Sequence, residues 1–153
     1  MENSKKAGRY QRVITQLEGL LTKTDDIHSR MATISAVLHN KMEGFFWTGF
    51  YFLNKGELMV RSYQGPVACQ ILEKDSGVCW AGINEKKTIV IANVHDFPNH
   101  IACDSRSQSE IVVPVRDLSG NIVGILDIDS KELAAFDETD QLYLEKIVAM
   151  IYV

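Results

Sequence analysis

Three cysteines, Cys69, Cys79 and Cys103, are the residues of this 153-residue chain that point first to chemistry. A thiolate is a nucleophile and a metal ligand; a buried thiol is neither. The spacings, ten and then twenty-four residues, contain no tight Cys-x-x-Cys pair. Structural zinc sites usually carry such a pair. The nearest approach to a ligand cluster is His95, His100 and Cys103, so no metal is expected. An odd number of cysteines also leaves one unpaired in any intramolecular disulfide scheme. Cys103 lies in a polar stretch, with His100 and Arg106 favouring its thiolate and Asp104 opposing it. Cys69 and Cys79 have more apolar neighbours. For these two an inert buried thiol is the favoured first reading.

Carboxylates and aromatics form a second group of candidates. Asp127 and Asp129 flank Ile128 at a strand end, and period-two alternation puts both on one face. Glu110 opens another strand. Acids at strand ends usually face water. Three of them near paired strands can instead converge on an ammonium group, or share a proton for acid catalysis. Trp47 and Tyr51 are four apart on an aromatic strand and share a face. They are core residues, or the wall of a small apolar pocket with a polar rim.

These residues need a rigid frame. Tyr10, Val13, Ile14, Leu17, Leu20 and Leu21 recur at helical spacing, and Asp25 or Asp26 can cap a second helix. Residues 45–53 and 57–63 flank Asn54-Lys55-Gly56 and read as a hairpin. Residues 67–72 read as a short strand, 77–84 as a short helix and 88–92 as a strand. Residues 93–108 read as a loop. Residues 111–115 and 122–128 make a second hairpin around the turn 117–120. Asp137 caps a last helix. Hairpins without repeated βαβ units imply an antiparallel sheet, and the whole is an α+β architecture. The middle of the chain, about residues 64 to 110, holds all three cysteines. Functional residues concentrate in such loops on a rigid sheet.

Composition narrows the function classes. One domain spanning residues 1–153 suits this length. A net charge of −4 argues against a nucleic-acid binder. The opening MENSKKAGRYQRV has basic residues but no apolar run behind them, so no secretory signal is expected. No apolar stretch approaches the roughly 18 residues of a membrane span, so no membrane partner is expected. The expected compartment is cytoplasmic, where thiols stay reduced.

Several segments together carry a family resemblance: Trp47-Thr48-Gly49-Phe50-Tyr51, Gln64-Gly65-Pro66-Val67-Ala68-Cys69 and Gly77-Val78-Cys79. To these add His100-Ile101-Ala102-Cys103-Asp104-Ser105, Ser109-Glu110-Ile111-Val112-Val113-Pro114 and Gly124-Ile125-Leu126-Asp127-Ile128-Asp129. In this order and spacing they closely resemble the free methionine-(R)-sulfoxide reductases, stand-alone GAF-domain enzymes. The resemblance implies a GAF-like fold, with a central antiparallel sheet, helices on one face and the ligand pocket on the other. It implies a homodimer and no cofactor. Cys103 then corresponds to the residue that attacks the sulfoxide, and Cys69 to the one that resolves the sulfenic acid as a disulfide. Cys79 takes an auxiliary position. Trp47 and Tyr51 correspond to aromatics that hold the methyl end. Glu110, Asp127 and Asp129 correspond to acids that bind the ammonium and polarise the sulfoxide. A thioredoxin-type reductant is implied as partner. Trp80 departs from the family, where Gly usually follows the cysteine, and is expected to reshape the loop closing the pocket. The rival reading is a GAF module that senses a small molecule without chemistry.

Overall fold

Alternation along the strands divides this molecule into two apolar layers. In β1 (Trp47–Asn54), Phe50 and Phe52 face one way and Trp47 and Tyr51 the other. In β6 (Ile122–Ser130), Leu126 and Ile128 share the first face, while Ile125 lies on the second. The computed structural model describes residues 3–100 and 103–153. Ile101 and Ala102 of the quoted His-Ile-Ala-Cys segment lie outside the described residues.

The six strands run in the order β3-β2-β1-β6-β5-β4. β2 is Glu57–Gln64, β3 Ile71–Leu72, β4 Ile89–Ile91 and β5 Ser109–Arg116. Every neighbouring pair is antiparallel, the two hairpins β1–β2 and β5–β6 among them. One face carries three helices: α1 (Asn3–Leu20), α2 (Ile27–Lys41) and α4 (Glu138–Val148). Tyr10, Val13 and Leu17 of α1, with Ile34 and Leu38 of α2 and Leu144 and Ile147 of α4, close the main core over Phe50, Val113 and Leu126. The opposite face is covered by the short α3 (Gly77–Glu85) and by the loops around it.

Helix ends follow the sequence signals. Asp26, not Asp25, caps α2 by accepting from Ser29 N–H at 2.8 Å. Asp137 and Asp140 form a capping box on α4. Asp140 also accepts from Lys6 Nζ and from Tyr10 Oη, each at 2.6 Å, which ties α1 to α4. Among the described residues, no helix is long and apolar enough to cross a membrane.

The expected strand at 67–72 is shorter than the apolar sequence suggests. Only Ile71 and Leu72 join the sheet, opposite Met59 and Leu58. Val67 is 84% exposed. The carbonyls of Pro66 and Cys69 are taken by side chains of β1 instead of by a neighbouring strand. Residues 65–70 therefore run as a loop over the sheet, and that loop carries Cys69.

Candidate active site

Strand register assembles the acids. Glu110 on β5 pairs with Asp129 on β6, and Val112 with Asp127. On the other side of β6, Asp127 lies opposite Gly49 and Asp129 opposite Trp47. All these residues share the sheet face away from the three large helices, because two-residue steps preserve the face. The three carboxyls thus form the floor of a cavity of about 50 Å³. Trp47 and Tyr51 line the same cavity. Their rings stack with centroids 5.8 Å apart, and Tyr63 stacks on Trp47 at 5.3 Å.

Gly49 makes this stacking possible. A Cβ there would lie 2.3 Å from the Tyr63 Cβ and 2.7 Å from the Trp47 ring. The indole occupies the space a side chain would fill. Gly65, at φ +116°, has a similar role at the start of the Cys69 loop, where a Cβ would lie 2.6 Å from the Phe46 carbonyl oxygen.

Two of the three cysteines form a bond. Cys69 and Cys103 are joined as a disulfide with Cα atoms 5.7 Å apart, and Cys103 lines the cavity. Cys69 is half-buried and Cys103 exposed, so both are open to an external thiol. The inert-thiol reading of Cys69 is thereby overturned. For Cys79 it holds in part: the residue is free and buried, in the first turn of α3, with its sulfur within 4.8 Å of Glu110 and Asp127 carboxyl oxygens. Burial, with the Asp127, Glu110 and Asp129 carboxyls nearby, pushes that thiol well above its ordinary range.

The acids perturb one another. Burial and the charge of Asp129 push Glu110 up to about 8. Burial and the Glu110 charge raise Asp127, and burial and the Asp127 charge raise Asp129. Asp127 Oδ1 is buried without a hydrogen-bond partner. At neutral pH Glu110 is therefore protonated, and a protonated carboxyl can donate as well as accept.

The two cations expected beside Cys103 have other partners. His100 points Nε2 at Glu110 Oε1, 3.7 Å away, and burial lowers its pKa, so the imidazole is neutral. Arg106 donates two side-chain hydrogen bonds to Asp104, at 2.9 and 2.7 Å, and lies over the Phe46 ring. Trp80, expected to reshape the pocket loop, is buried in the layer behind the cavity and does not line it. Its indole N–H donates to the Leu72 carbonyl at 3.4 Å.

Cavity residues that the sequence reading did not single out are Leu72, Ser76 and Ser107. They are small or apolar groups on loops and on β3, with no chemical signature of their own. Only their neighbours Cys79 and Cys103 signalled the place. Among the described residues, one set with metal-ligand geometry appears: Cys79, Glu110 and Asp127, with ligand atoms within 4.8 Å of one another. Metal ligation needs the deprotonated forms. Without a cation, burial and mutual repulsion favour the protonated ones; a bound cation would reverse that balance.

A GAF-domain family model matches residues 25–151. The chain is 41% identical over 147 residues to GAF domain-containing protein A of Dictyostelium discoideum, covering 95% of this chain and 92% of that protein. It is 36% identical over 121 residues to the free methionine-R-sulfoxide reductase of Escherichia coli, covering 79% and 73%. The structure of the free methionine-R-sulfoxide reductase from Neisseria meningitidis, solved with its substrate, superposes with a TM-score of 0.90 at 40% identity, covering 95% of this chain and 87% of that one. Likeness of this extent, together with the acid-floored cavity, places the chain in a single group: it belongs to the free methionine-(R)-sulfoxide reductase family of GAF-domain proteins.

Proposed function

We propose that this protein reduces free L-methionine-(R)-sulfoxide to methionine, using Cys103 as nucleophile, Cys69 as resolving thiol and a thioredoxin-type dithiol as reductant. The observation that carries this reading is the Cys69–Cys103 disulfide at a cavity floored by Glu110, Asp127 and Asp129. A sensing module needs a cavity but has no use for a redox pair beside it.

Sulfoxide oxygen is a poor leaving group until protonated. The protonated floor supplies the acid, with Glu110 as the donor. The Cys103 thiolate attacks sulfur, the oxygen passes to the cysteine sulfur, and methionine leaves. Cys103 is then a sulfenic acid. The Cys69 thiol attacks it, the S–O bond breaks, an S–S bond forms, and the oxygen departs as water. An external dithiol returns both cysteines to thiols by exchange.

The substrate's ammonium favours ionisation of one carboxyl while a neighbour stays protonated. Trp47 and Tyr51 offer an apolar wall to the methyl end. The resemblance extends the reading to a cytoplasmic homodimer.

The deciding assay incubates the reduced protein with the R and S forms of free methionine sulfoxide, and with N-acetylated (R)-sulfoxide, and follows methionine or its acetyl derivative. Turnover of the free R form alone is expected, since an amide nitrogen supplies no ammonium. Binding without turnover would return the protein to the sensing modules.

A further inference from the structure

Residues 65–70, which hold Cys69, belong to no strand or helix. Val67 in this stretch is 84% exposed, and only Ala68 and Cys69 pack in part against the apolar layer beneath. One backbone bond from the sheet reaches it, Val60 N–H to the Gln70 carbonyl at 2.9 Å. Besides the disulfide at Cys69, the remaining polar hold comes from aromatic side chains. Trp47 Nε1 donates to the Pro66 carbonyl at 3.0 Å, and Tyr51 Oη donates to the Cys69 carbonyl at 2.9 Å. Trp80 Nε1 donates to the Leu72 carbonyl at 3.4 Å. Three donors thus hold carbonyls at intervals of three residues along the segment that presents the resolving thiol.

We infer that the Tyr51 hydroxyl is a positioning group for Cys69, separate from the contact its ring makes with the cavity: its bond to the Cys69 carbonyl keeps that thiol within reach of Cys103. The inference rests on the proposed cycle. Resolution is an intramolecular displacement in which the Cys69 sulfur attacks the Cys103 sulfenic acid and water leaves. Its rate depends on how often the two sulfurs lie at bonding geometry. The disulfide forms at a Cα separation of 5.7 Å, within the usual range of about 4.4–6.8 Å. A loop outside the sheet ladder strays from that distance unless its backbone is pinned. Tyr51 pins the residue itself, from the rigid strand β1. Burial and the nearby acids raise the phenol's pKa, so the hydroxyl remains a donor throughout the working pH range.

The test is Tyr51→Phe, which keeps the ring and removes the donor. Methionine release and disulfide formation are followed in the same single-turnover reaction of the reduced protein, with a dimedone-type probe for sulfenic acid. The expected result is a fall of roughly three- to tenfold in the ratio of disulfide formation to methionine release, with sulfenic acid accumulating. A variant that is only less well folded would slow both steps together, leaving the ratio at the wild-type value, and that outcome overturns the inference. A second measurement is independent of the reductase reading. Equilibration with glutathione should show the Cys69–Cys103 disulfide of Tyr51→Phe reduced at a roughly three- to tenfold lower glutathione ratio. An unchanged equilibrium overturns the positioning role. Failure of the wild-type protein to release methionine would count against the proposed function and leave this second result standing.

Discussion

Glu110 on β5 lies directly across from Asp129 on β6, and Asp127 sits two residues before Asp129 on the same face. The sheet itself thus brings like charges together at the floor of a cavity. Glu110 is pushed up to about 8, so it is protonated at neutral pH and ionises as pH rises through that value. The rate of methionine release under single-turnover conditions should therefore fall above about pH 8. Glu110→Gln should lower the plateau by about 10²-fold or more, the usual scale for a lost general acid, and remove the alkaline limb. A limb that persists unchanged in the variant would assign the ionisation to another group.

The same carboxyl should make stability depend on pH. Its pKa is about 8 in the fold against an ordinary 4.5, so between these values the folded state binds more protons than the unfolded one. Stability then falls with rising pH across this window, because protons are lost on unfolding. Asp127 and Asp129 are raised as well and add in the same direction. Urea unfolding of the wild-type protein should give a lower midpoint at pH 8.5 than at pH 5.5, by up to several kcal/mol in free energy. Glu110→Gln should flatten the dependence. Equal slopes in the two proteins would show that Glu110 does not carry the shift.

Most of this arrangement was legible in the sequence. Asp127 and Asp129 share a face because a strand has period two, and Trp47 and Tyr51 do so for the same reason. The pairing of Glu110 with Asp129 depends on hairpin register, which the turn at 117–120 suggests but does not specify. The segment at 67–72 misled because apolar and β-branched residues read as strand. Its backbone is held instead by Trp47 and Tyr51, an interaction between residues some 18 or 19 apart that no local pattern records. Arg106 and His100 were placed near Cys103 by sequence distance alone. Asp104 and Glu110 are their partners in space.

The cysteine roles separate in the two half-reactions. Cys103→Ser should release no methionine even in a single turnover, since no other described thiol is both deprotonatable and open to the cavity. Cys69→Ser should release about one equivalent of methionine and then stop, with a sulfenic acid trappable on Cys103. Methionine release is measured chromatographically and the adduct by mass spectrometry. Steady-state recycling of Cys69→Ser by thioredoxin at the wild-type rate would reject the resolving role.

Cys79 should be chemically silent in the folded protein. It is buried in α3, and burial first, with the nearby carboxyls adding to it, holds its thiol protonated. Iodoacetamide applied to the reduced native protein at pH 8 should label Cys69 and Cys103 at least about tenfold faster than Cys79, since each pKa unit above ambient pH removes a factor of ten in thiolate. In urea the three should label alike. Native labelling of Cys79 at the rate of the other two would mean that α3 opens readily and exposes the floor.

Two glycine substitutions separate the packing of the site from general tolerance. Gly19 is near the end of α1, and a Cβ there would meet nothing within 4 Å. Gly19→Ala should stabilise the protein by about 0.5–1 kcal/mol, because Gly is the poorer helix former. Gly49 is the opposite case, with the Tyr63 Cβ and the Trp47 ring already in the space. Gly49→Ala must displace the indole, at a cost of about 1–3 kcal/mol. The same shift should disturb the Trp47 N–H bond to Pro66 and hence the Cys69 loop. The expected outcome is a lower Tm together with a slower ratio of disulfide formation to methionine release. If Gly49→Ala loses stability but keeps that ratio, the loop is held without the Trp47 stack, and Tyr51 alone sets the reach of Cys69.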